Sequence, residues 1–79
     1  MNKERRKELE RAYALISEAQ DIVDYVYGGE SEAYDNLPEG LQNSERGERM
    51  YECVDAIEDL QSDIEEVISK INDIIYDEF

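Results

Sequence analysis

Apolar residues recur through the second half of the chain at Met50, Cys53, Ile57, Leu60, Ile64, Val67, Ile71 and Ile74, with gaps alternating between three and four. That period keeps all eight on one side of a long helix. The first half carries a matching row: Leu9, Tyr13, Ile16, Gln20, Val23, Tyr27, Glu30, Tyr34 and Leu37. Beside the rows, Ala12, Ala19, Val26 and Ala33 repeat at seven, as do Val54, Gln61, Ile68 and Ile75. A stripe wider than a strict coiled-coil seam predicts contact with more than one neighbouring helix.

Between the rows lies Leu37-Pro38-Glu39-Gly40-Leu41-Gln42-Asn43. Pro38 removes a backbone donor and pushes Leu37 out of the helical region, so the first helix should stop near Asn36. Gly40 permits a positive φ in the turn. Asn43 or Ser44 can cap the second helix, with Glu45 and Glu48 at its positive end. Leu37 and Leu41 are expected to plug the end of the core. Gly28-Gly29 interrupts the first helix chemically, at about 2 kcal/mol relative to alanine. The heptad phase nevertheless holds from Val23 through Tyr27, Glu30 and Tyr34, which predicts a helix running through the glycines.

The expected fold is all-α, a single antiparallel helical hairpin with helices at 3–36 and 44–78 and a loop at 37–43. Folding the chain at Gly40 sets residue i against roughly residue 80 − i, so that core positions meet core positions. Gln20 and Glu30 are the polar exceptions; Gln20 is expected to fix register and Glu30 to lie at the edge near the loop. A two-helix hairpin cannot cover two wide apolar stripes, whereas two hairpins in a four-helix bundle can. A homodimer or higher homo-oligomer is therefore the expected assembly. The interface and core residues would be Leu9, Tyr13, Ile16, Val23, Tyr27, Tyr34, Met50, Cys53, Ile57, Leu60, Ile64, Val67, Ile71 and Ile74.

Charge narrows the choice of partner. The net charge of −14 over 79 residues is uneven: residues 1–11 hold five bases against three acids, and the rest hold three bases against 19 acids. Such a surface repels nucleic acid and anionic lipid and suits a basic or DNA-binding protein partner. The basic start is expected beside Asp73, Asp77 and Glu78 of the second helix. The outer row Asp55, Glu58, Asp59, Asp63, Glu65, Glu66 and Asp73 forms a candidate acidic partner surface, its neighbours about 5–6 Å apart at Cβ. That spacing approaches that of phosphates and raises DNA mimicry as a second function. Arg46 and Arg49 near a helix N-terminus form a candidate anion site for a nucleotide-like ligand.

Catalytic chemistry is poorly represented. There is no histidine, the commonest general base and transition-metal ligand. Cys53 has no histidine partner and falls on the core row, which predicts a small buried apolar residue. No metal ligand set, cofactor motif or membrane-length apolar run is present. A non-catalytic cytoplasmic protein without a cofactor is expected, and the lone cysteine fits a reducing compartment.

The stretch Glu32-Ala33-Tyr34-Asp35-Asn36-Leu37-Pro38-Glu39-Gly40-Leu41-Gln42-Asn43-Ser44-Glu45-Arg46-Gly47-Glu48-Arg49-Met50 resembles a family of small acidic proteins. These are found in Gram-positive bacteria and their phages or mobile elements. The resemblance implies a helical hairpin whose first helix runs into the Asp-Asn-Leu-Pro motif. It assigns no catalytic residue. It assigns no function either; a phage or mobile-element inhibitor of a host DNA-handling or defence protein is the second functional reading, through the acidic surface or the anion site described above. Members tend to carry charged residues where this chain has Gly28-Gly29.

Overall fold

The computed structural model describes residues 1–76. Three helices follow one another: α1 (Lys3–Asp35), the single turn α2 (Glu39–Gln42) and α3 (Glu45–Tyr76). The described residues contain no strand, and α1 and α3 pack against each other along an all-α hairpin. The Cα trace measures 58 × 17 × 13 Å.

Local chemistry sets each boundary. The Asn2 side chain caps α1 by accepting from the Arg5 backbone N–H at 2.8 Å, which satisfies one of the helix's orphan donors. At the other end, Asn36 N–H still reaches the Glu32 carbonyl at 3.0 Å, and Leu37 N–H reaches Tyr34 at 3.1 Å. Pro38 then ends the ladder, as the sequence predicts. The Ser44 hydroxyl accepts from the Gly47 N–H at 3.3 Å and so caps α3. The helix α1 passes through Gly28-Gly29 without a break. The continuity of phase outweighed the low propensity of glycine there.

The connection is tighter than a loop. Pro38 starts a helical turn, with Leu41 and Gln42 N–H groups on its carbonyl at 2.8 and 3.2 Å. The Gln42 side chain reaches back toward the Tyr34 and Leu37 carbonyls at 3.4 and 3.3 Å, covering acceptors at the end of α1. Gly40 sits within this turn, and no glycine has positive φ, so the expected left-handed turn at Gly40 is not used. Leu37 is half-buried at the end of the hairpin, but Leu41 stays exposed rather than plugging the core.

The extra turn moves the fold point. Gln61 donates to the Asp24 carboxylate at 2.8 Å, and the Tyr34 and Tyr51 rings lie 5.8 Å apart. Both pairs reflect through the Gln42–Asn43 bond, about two-thirds of a helical turn beyond the Gly40 mirror expected from sequence. The Arg6 guanidinium donates to the Ile75 carbonyl, tying the open end together. This contact replaces the expected pairing of the basic start with Asp73; Asp77 and Glu78 lie outside the described residues. Among the described residues the ion pairs are all within one helix: Glu8–Arg11, Glu45–Arg49 and Glu66–Lys70. Exposed pairs of this kind contribute a few tenths of a kcal/mol each.

Candidate functional site

The packed seam differs from the expected one by one residue on α3. Met50, Val54, Ile57, Gln61, Ile64, Ile68 and Ile71 are half-buried against α1, and Ile75 is the one described hydrophobic residue that is fully buried. The row thus takes Val54, Gln61, Ile68 and Ile75, which the sequence places beside the seam. Cys53, Leu60, Val67 and Ile74, expected within it, are exposed instead. The physical cause is the shape of the stripe. Met50, Ile57, Ile64 and Ile71 belong to both rows, and the register set by α2 selects which flank turns inward. On α1, Leu9, Tyr13, Ile16, Val23, Tyr27 and Tyr34 are half-buried as expected.

Cys53 is therefore not a buried apolar residue but an exposed free thiol. With Leu60 (45% exposed), Val67 (43%) and Ile74 (40%) it forms a row along the outside of α3. A corresponding row runs along α1: Leu15 (54% exposed), Ala19, Ile22 (60%), Val26 (43%), Gly29 and Ala33. Leu15 and Ile22 belong to no row identified above, although their spacing with Ala19 and Val26 is again four and three. The signal was present in the sequence as a second stripe overlapping the first.

Both rows fall on one side of the hairpin. At about 100° per residue, Leu15 to Ala33 lie roughly 60–140° to one side of the α1 seam, measured in the sense of the chain. Cys53 to Ile74 lie roughly 40–100° to the same side of the α3 seam. The helices run in opposite directions, so equal rotations bring both flanks to a common face. A cleft lined by Glu30 of α1 and Arg49, Met50 and Cys53 of α3 spans the two helices at the loop end of that face.

The opposite side is polar. A groove there is lined by Gln20, Asp24, Glu58, Gln61, Ser62 and Glu65. Gln20 thus lies with the Asp24–Gln61 hydrogen bond, as one member of a polar layer across the seam. The candidate acidic residues Asp55, Glu58, Asp59, Asp63, Glu65, Glu66 and Asp73 are all exposed. They occupy this side and the outer surface of α3. Arg46 and Arg49 line the loop-end cleft together, but Arg49 is held by Glu45 at 2.7 Å. That pairing neutralises half of the candidate anion site. The described residues contain no cluster of metal-ligating side chains and no helix long and apolar enough to cross a membrane.

The chain matches no family model, no curated protein and no solved structure.

Proposed function

We propose that this is a non-catalytic helical protein that acts by association, pairing with itself through the apolar face of the hairpin. One observation carries the reading. The large exposed aliphatic residues of the two long helices gather on one side, while among the described residues only one hydrophobic residue is buried. Surface area gives the scale. A compact monomer of 9.2 kDa exposes about 4,900 Å², whereas this chain exposes 6204 Å². The excess of about 1,300 Å² accommodates the roughly 800 Å² per partner of a standard interface. Two hairpins closed on this face make a four-helix bundle with the acidic surface outward.

Sedimentation equilibrium tests this directly. The expected mass is a multiple of the chain mass at micromolar concentration. Ile22→Glu combined with Leu60→Glu should return it to a single chain, because two charges per copy would be buried without partners. A single-chain mass for the unaltered protein at high concentration would refute self-association.

The exposure of all seven candidate acidic residues of α3 favours one further reading: the outward surface engages a basic, DNA-handling partner by mimicking phosphates. By covering a DNA-binding surface it would act as an inhibitor of that partner. Capture of such a partner at low salt, lost at high salt, is the expected outcome. The exposed unpaired Cys53 suits a reducing, cytoplasmic setting.

A further inference from the structure

We propose that the occupant of the apolar face is a second copy of this chain lying head to tail, so that the open end of each hairpin covers the loop end of the other. This arrangement rests on the self-association proposed above and specifies its geometry. Two independent features of the face carry it.

The first is a taper in side-chain size. Toward the open end the face presents Leu15, Val67 and Ile74. Ile22 and Leu60 mark the middle. Beyond Val26, toward the loop, the aliphatic residues give way to Gly29, Ala33 and Cys53, and the cleft beside Cys53, lined also by Arg46, Arg49 and Met50, opens there. Stacked in parallel, two such faces would crowd at one end and gape at the other. Head to tail, the bulky end of each copy meets the small end of its partner. Large residues then pack against small ones toward both ends, with Ile22 and Leu60 of the two copies meeting at the middle, as close packing requires.

The second is charge. The open end holds exposed Lys3, Arg5, Lys7 and Arg11 in balance with exposed Glu4, Glu8, Glu10 and Asp73, whereas at the loop end Glu32, Asp35, Glu39, Glu45 and Glu48 outnumber Arg46 and Arg49. Parallel hairpins would set two net-acidic loop ends together. Head-to-tail hairpins hold the two acidic loops apart and set each beside the charge-balanced open end of the other, which favours that orientation.

A two-fold axis at the level of Ile22 and Leu60 then relates the copies. Cys53 of each lies opposite the level of Val67 of the other, and the two thiols are about 20 Å apart along the bundle. Disulfide formation needs Cα atoms within about 7 Å. Copper-catalysed oxidation of the unaltered protein should therefore leave it without a covalent dimer. Rapid, complete Cys53–Cys53 bridging would overturn the head-to-tail arrangement.

Distance measurement gives the positive counterpart. A spin label on Lys7→Cys in a Cys53→Ser background should report an inter-copy distance of about 45 Å, from 15 residues on each side of the axis. A parallel pair would place both labels at one end, within about 30 Å, roughly the width of a bundle plus the labels. A dimeric mass with the short distance would overturn the orientation alone. A single-chain mass for the labelled and unlabelled proteins would instead overturn the self-association beneath it.

Discussion

Two glycines in helices of similar length show how context sets the sign of one substitution. Gly47 is fully buried in the first turn of α3, and a Cβ built there would lie 2.3 Å from the Leu41 carbonyl oxygen and 2.4 Å from that of Gln42. Only a residue without a side chain lets α2 lie this close to α3. Gly47→Ala should destabilise the protein by about 1–3 kcal/mol, because backbone and not a flexible side chain must move. Gly28, in the middle of α1, has nothing within 4 Å of the same hypothetical atom. Gly28→Ala should stabilise by up to about 1 kcal/mol through helix propensity. Thermal unfolding of both variants at equal concentration checks the opposite signs. Gly28 was legible as a propensity defect in a continuous helix. Gly47 carried no such mark, because its role comes from the approach of a turn that the sequence reading treated as an open loop.

At the scale of elements, α3 is a helix with two overlapping apolar rows and one seam to fill. Hydrophobic periodicity established that α1 and α3 form, Pro38 and the capping side chains where they end, and the short connection that they run antiparallel. It could not choose between Cys53-Leu60-Val67-Ile74 and Val54-Gln61-Ile68-Ile75, since either set completes a seam with the shared residues. The choice follows from α2, whose turn moves the fold point from Gly40 to the Gln42–Asn43 bond. The exposed set should tolerate polar substitution differently from the buried one. Ile68→Ser, in the seam, should cost about 2–4 kcal/mol through lost burial and the cavity left behind. Val67→Ser should change hairpin stability little at concentrations where the protein is a single chain, and should weaken association. Denaturant unfolding over a range of protein concentrations separates the two effects.

At the scale of the molecule, the hairpin is long and thinly cored. Its radius of gyration is 17.7 Å, against about 12 Å for a compact domain of 79 residues. A rod two helices wide has no interior to bury the second row of either helix. If that row is covered by a partner copy, the melting temperature should rise with protein concentration. Raised salt should favour association, screening the repulsion of a net charge of −14. A melting temperature that stays constant over a hundred-fold range of concentration would argue for an independent hairpin.

The sequence by itself determined the helices, the stop at Asn36-Leu37-Pro38, the all-α hairpin and the width of its apolar stripes. Each follows from local or periodic chemistry: a missing donor, a capping side chain, a heptad phase held across Gly28-Gly29. The tertiary structure alone decided which half of each wide stripe became the seam and which remained outside. That choice depends on the close approach of α2 to Gly47 and on the register it imposes, contacts between residues whose meeting no period encodes. It also joined Leu15 and Ile22 of α1 with Leu60 and Val67 of α3 into one continuous face, because only antiparallel packing brings the two flanks to the same side.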